Sequence, residues 1–202
     1  MSDALFVAVE GIDASGKTTL TAALATALRA DGILVATCKE PSQGPVGTFF
    51  RQVSAAAQMP PMTLALLSSA DRYDQQRLLE RLRRGHRIIL ADRYYLSGLA
   101  YHAADGIAPD FYQLLNQQVA KPDAYLYLDI APTVAAARRV RGPDSQWEQR
   151  NFAIRLPAAY EDCLALVTRT EAAQVIRLDA SQPPRLVLAA ARRALTGLRL
   201  AS

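Results

Sequence analysis

Thiols, lysines and long apolar runs are all scarce in this chain, and each shortage narrows what it can be. Its two cysteines, Cys38 and Cys163, lie far apart in sequence with no metal-type spacing. A disulfide framework and a cysteine metal site are therefore excluded, and both thiols are expected reduced in the core. No apolar stretch approaches the ~18 residues of a membrane span. Met1-Ser2-Asp3 carries no basic run of the kind that opens a secretory signal, so a cytoplasmic location is the expectation. Internal repeats, low-complexity tracts and interdomain linkers are missing too. The 202 residues read as a single domain, 1–202. Lysine occurs only as Lys17, Lys39 and Lys121, so arginine supplies almost all the excess behind a net charge of +4. A basic chain can bind nucleic acid. Here the arginines gather beside the motifs described below, where a site that assembles several phosphates needs them. Neither a nucleic acid polymer nor a membrane is expected as a partner.

Half the residues are hydrophobic, enough for a sizeable core. Five apolar runs read as strands: Leu5–Val9, Ile33–Cys38, Ile88–Ala91, Ala124–Leu128 and Gln174–Leu178. Gly32 ends the helix before the second run. Pro41, Gly44, Pro45 and Gly47 mark a loop from Lys39 to Gly47. Leu64, Leu67, Leu78, Leu79 and Leu82 mark the buried side of a long helix from about Thr63 to Arg84, stopped by Gly85. Strands and helices alternate, which predicts an α/β fold: a five-stranded parallel sheet with helices on both faces. Ligands in such sheets sit at the carboxyl ends of strands, where Glu10, Asp92, Asp129 and Asp179 stand.

Residues 11–18, Gly-Ile-Asp-Ala-Ser-Gly-Lys-Thr, spell a complete G-x-x-x-x-G-K-[ST] phosphate loop between an apolar strand and a leucine-spaced helix. Its backbone N–H groups and the helix N-terminus favour a triphosphate. Lys17 can reach the β- and γ-phosphates, and the Thr18 hydroxyl can hold magnesium. Asp92-Arg93-Tyr94 follows a second strand. That carboxylate suits the same ion, and the arginine can fork onto a phosphate. ATP and Mg2+ are the expected cofactors.

The phosphate loop, Lys39-Glu40-Pro41, Ala70-Asp71-Arg72, the run Asp92 to Tyr101, Leu126-Tyr127-Leu128-Asp129 with Pro132 and Arg138, and Asp179-Ala180-Ser181 follow one another in the order and spacing of thymidylate kinases. The chain resembles that family over nearly its whole length. The resemblance implies a P-loop fold with a short lid near 138–150, transfer of the ATP γ-phosphoryl group to dTMP, and a homodimer. Donor contacts would come from Gly11, Ala14, Ser15, Gly16, Lys17, Thr18 and Thr19, with Asp179 and Ala180 at the adenine. Thr18 and Asp92 would hold the metal. Asp13 resembles the acidic residue that meets the acceptor sugar. Glu40, Pro41, Arg51, Ser68, Arg72, Arg93, Ser97 and Tyr101 would line the acceptor side, with Arg93 clamping the acceptor phosphate. Within that set Arg72 would read thymine, and Tyr101 would exclude a ribose 2′-hydroxyl. Lys17, Asp13, Arg93 and the lid arginines Arg138, Arg139 and Arg141 would carry the transfer.

Two departures matter. Gln146 replaces a lid arginine, so which of the three lid arginines reaches the γ-phosphate stays open. Ser68 stands where the family has a phenylalanine that stacks on thymine. Serine opens a gap of roughly a ring, to be filled by another side chain such as Tyr73 or Phe49, or by a different base. Another deoxynucleotide or a modified pyrimidine nucleotide is the rival acceptor. The non-enzyme rival is a P-loop regulatory module; a GTPase switch would need an N-K-x-D, which the chain lacks.

Overall fold

The computed structural model describes residues 4–56, 59–138 and 152–200. Five strands form one parallel sheet: β1 (Leu5–Glu10), β2 (Val35–Lys39), β3 (Ile88–Asp92), β4 (Ala124–Asp129) and β5 (Gln174–Asp179). Their spatial order is β2-β3-β1-β4-β5. The register runs Val7 to Leu90 on one side of β1 and Val7 to Ala124 on the other. The central strands β1, β3 and β4 are buried almost throughout, which is why they read as unbroken apolar runs. The outer strand β5 is mostly exposed or half-buried.

The described helices are α1 (Lys17–Ala30), α2 (Pro45–Ala55), α3 (Pro61–Gly85), α4 (Tyr95–Ala104), α5 (Pro109–Leu115), α6 (Pro132–Ala137), α7 (Phe152–Thr170) and α8 (Pro184–Leu200). They pack in two groups, α1 with α8, and α2, α3, α4, α5 and α7 in a chain of contacts. Five of these helices begin with proline, whose fixed φ suits the first turn and whose missing N–H costs nothing there. That corrects one boundary. Pro45 and Gly47, read as loop, belong to α2, because Pro45 occupies its first turn. The lid falls outside the described residues except for Arg138, which caps α6.

The strand order reverses across β1. A crevice therefore opens at the carboxyl ends of β1, β3 and β4. Glu10, Asp92 and the loop after β1 all stand there.

Candidate active site

Residues between β1 and α1 turn back sharply. Gly11, Ala14 and Gly16 have φ of 142°, 60° and 102°. A Cβ on Gly11 would stand 2.9 Å from the Leu128 carbonyl oxygen, so only glycine fits. Gly16 caps α1 in the left-handed region, which leaves the first helical N–H groups facing a cleft of about 600 Å3. Ala14, Ser15, Gly16, Lys17, Thr18 and Thr19 line this cleft, with Ala180 across it. Lys17 is buried, and its Nζ donates to the Ile12 carbonyl at 2.5 Å. Burial, with Arg93 adding repulsion, pulls its pKa from 10.5 down to about 7.

The Thr18 hydroxyl donates to Asp92 Oδ2 at 2.6 Å, and Lys39 Nζ lies 3.2 Å from the same oxygen. Asp179 does not line the cleft. Its carboxylate accepts from Ser181 and Gln182, and so braces the loop that carries Ala180. Arg138 lines the cleft and donates to the carbonyls of Ala180, at 2.8 Å, and Ser181. It thereby ties α6 to the same loop. Arg139 and Arg141 lie outside the described residues.

A second cleft, of about 380 Å3, holds Asp13, Glu40, Pro41, Arg51, Ser68, Arg72, Arg93, Ser97 and Tyr101 on its walls. All nine are residues expected on the acceptor side, and they share one cleft. Arg93 sits in the left-handed region, φ 67°, one residue past β3. Its guanidinium pairs with Asp13 and donates to the Gly11 carbonyl, Ser97 and Tyr101. Ser97 in turn donates to the fully buried Glu10, whose carboxyl also accepts from the Tyr94 N–H. Burial raises the Glu10 pKa, and the Ser97 hydrogen bond opposes that rise. Arg51 donates to the carbonyls of Pro41 and Ser42, which fixes the loop before α2.

Arg72 is buried to 1% exposure. Its Nε and Nη2 fork onto Glu40 at 2.9 and 2.5 Å. Its Nη1 donates to Tyr112 Oη and Asn116 Oδ1. Four of its five N–H groups are thus used, and one Nη2 proton is left for the cleft it lines.

Ser68 lines the cleft and is at the same time the centre of a hydrogen-bond network. Ser68 Oγ donates to the Ala65 carbonyl at 2.9 Å and lies 2.8 Å from His102 Nε2 and 2.9 Å from Tyr112 Oη. A hydroxyl has one proton, so His102 and Tyr112 donate to it and His102 is the Nε2–H tautomer. Burial, then Arg72, lowers the His102 pKa to about 3, which keeps the ring neutral. Tyr73 and Phe49 do not fill the gap; both are exposed and neither lines the cleft, whereas Phe50 does. Ser68→Phe is therefore expected to disrupt the network and raise the acceptor KM by about fivefold or more, the cost of orphaning one buried polar group. Steady-state kinetics checks this; a lowered KM would mean the ring has room.

Several residues of the site had no signal in the sequence. Tyr160 of α7 donates to the Gly11 carbonyl from 149 positions away. Tyr112 and Asn116 hold Arg72 from α5 and its end. Only Glu10, a carboxylate at a strand end, carried a positional hint.

The thymidylate kinase family model matches residues 9–191. A probable thymidylate kinase of Pyrobaculum aerophilum is 35% identical over 159 residues, 77% of this chain and 80% of the relative. A thymidylate kinase of Xanthomonas oryzae pv. oryzae is 42% identical over 141 residues, 68% of this chain and 62% of the relative. One of Xanthomonas campestris pv. campestris is 40% identical over the same shares. The chain thus spans less than two thirds of the length of the Xanthomonas proteins. Because the family match runs through the phosphate loop, Arg72, Arg93 and the Ala180 loop alike, the chain belongs to the thymidylate kinase family.

Proposed function

We propose that this protein transfers the γ-phosphoryl group of ATP to the 5′-phosphate of dTMP, giving dTDP and ADP. One observation carries the reading: the two clefts share a wall made of Asp13 and Arg93. Phosphoryl transfer needs donor and acceptor oxygens roughly in line, and its catalysis is mostly positioning and charge stabilisation. A polyphosphate on the 11–18 loop and a monophosphate beside Arg93 would meet at that wall. Lys17 would bind the β- and γ-phosphates, and Arg93 would clamp the acceptor phosphate. Arg138 would steady the loop at the donor base, and the spare N–H of Arg72 would meet the acceptor base. A nucleotide switch has no use for the second cleft.

Thr18 and Asp92 fit Mg2+. They are hard oxygen donors beside the phosphate loop, and this ion keeps most of its waters and takes other ligands from phosphates. When bound, the ion would neutralise charge between the β- and γ-phosphates. Lys39 occupies the same carboxylate oxygen and competes for it. Lys39→Met is expected to lower the Mg2+ concentration for half-maximal rate by about threefold, the scale of a solvent-screened charge contact. An unchanged or higher requirement would remove Lys39 from that competition.

A homodimer in the cytoplasm completes the proposal. Met62, Leu66 and Tyr73 of α3 are 43%, 47% and 39% exposed, and Phe49 of the adjoining α2 is 47% exposed. That apolar surface suits a second copy. Among the described residues no helix is long and apolar enough to cross a membrane. Sedimentation at micromolar concentration should give twice the 22.0 kDa chain mass; a species of the chain mass alone would refute the dimer.

The test of the activity is ADP release across nucleoside monophosphates. dTMP should be the best acceptor. Tyr101 should make dUMP far better than UMP. A clear preference for another base would overturn the dTMP assignment and leave the kinase reading standing.

A further inference from the structure

A third cleft, of about 670 Å3, opens between α1, the end of β2 and α3. It shares Thr18, Lys39 and Asp92 with the donor cleft but touches none of residues 11–17. The kinase reading gives it no work. Two of its lining residues, Thr21 and Gln75, are 5% and 6% exposed. Thr21 Oγ1 and Gln75 Nε2 are both buried without a hydrogen-bond partner among the described residues. Native structures rarely leave such groups unmet, and a missing ligand or water is a standard reason.

The charges around this cleft point to the ligand. Arg77 and Arg81 line it from one side of α3, one turn apart. Both are exposed, and neither makes an ion pair among the described residues. Of the two carboxylates present, Asp92 is already matched by Lys39 and Thr18. Only Asp74 remains against two uncommitted guanidinium groups. Guanidinium forks match phosphate oxygens two at a time.

We propose that this cleft binds a phosphate-bearing small molecule, with Arg77 and Arg81 on its phosphates and Thr21 and Gln75 on its polar body. The site meets the donor cleft only at Thr18, Lys39 and Asp92 and shares no lining residue with the acceptor cleft, and the proposal does not rest on the identity of the acceptor.

Inorganic pyrophosphate is the probe, added to protein saturated with ADP so that the phosphate loop is filled. The readout is the Gln75 side-chain amide signal in a nitrogen-15 spectrum. A saturable shift of that signal is expected. The Arg77→Ala, Arg81→Ala double variant should weaken it by about tenfold or more while kinase turnover without pyrophosphate stays at the parent level. Both arginines are exposed, so the variant should fold. No shift at Gln75, or equal affinity in the double variant, overturns the site. A parallel titration with dTTP separates the sources. Tighter binding than pyrophosphate assigns a nucleotide body, and equal binding assigns phosphate recognition alone; both support the site.

Discussion

Lys17→Ala is expected to cut phosphoryl transfer by about 100-fold or more while the protein stays folded. Loss of one preorganised transition-state contact sets that scale. The ammonium sits in a poor place for a charge, buried and with a pKa lowered to about 7. A triphosphate would supply the missing counter-charge and restore the full charge on Lys17, so the group is held in readiness at a cost to the empty protein. The linkage follows from the sign of the shift. The unfolded chain binds the proton up to the ordinary 10.5, the folded chain only to about 7. Stability therefore rises as pH goes from about 7 to 10.5, and below pH 7 the full penalty remains. Removing the ammonium should leave the unfolding temperature at pH 7 unchanged or higher. Turnover with saturating substrates, read beside thermal unfolding, tests both halves. A folded Lys17→Ala protein with near-parental turnover would sink the kinase reading.

The phosphate loop was legible because its chemistry is contiguous. Eight residues in a row make the turn, and six of them, Asp13 to Thr18, line the cleft. The five strands were legible because three of them are buried on both faces, which leaves no polar residue to blur the run. Boundaries slipped where one residue type has two readings, as Pro45 does between loop and helix start. Partnerships across the fold were invisible. Tyr160 reaches Gly11, and Asn116 reaches Arg72, only because α7 and α5 are packed beside α4 by the core as a whole. The surroundings of Ser68 were hidden for the same reason, because its partners His102 and Tyr112 lie 34 and 44 positions away.

Arg72→Met should destabilise the protein by about 3–5 kcal/mol, because it leaves the buried Glu40 without its counter-charge. For a chain of this size that is a fall of roughly 6–20 °C in unfolding temperature. The loss should depend on pH in a defined direction. Burial raises the Glu40 pKa from 4.5 to about 7 even with Arg72 opposing it. Without the guanidinium, burial acts unopposed and the folded-state pKa rises further. The folded variant then holds a proton that the unfolded chain releases near 4.5, so its stability falls as pH rises through that window. At pH 5 a protonated Glu40 is neutral and the deficit against the parent is smallest; at pH 8 it is largest. Methionine keeps most of the volume, which separates the charge effect from a cavity. Tyr112 and Asn116 would also lose their donor, so the acceptor cleft should loosen and the acceptor KM rise along with the stability loss. Denaturant unfolding at pH 5 and pH 8 decides the matter. A deficit that is equal at both pH values, or larger at pH 5, would mean that Glu40 is not the group left uncompensated and that Arg72 stabilises the site through its rings, Tyr94, Tyr95 and Tyr112, instead.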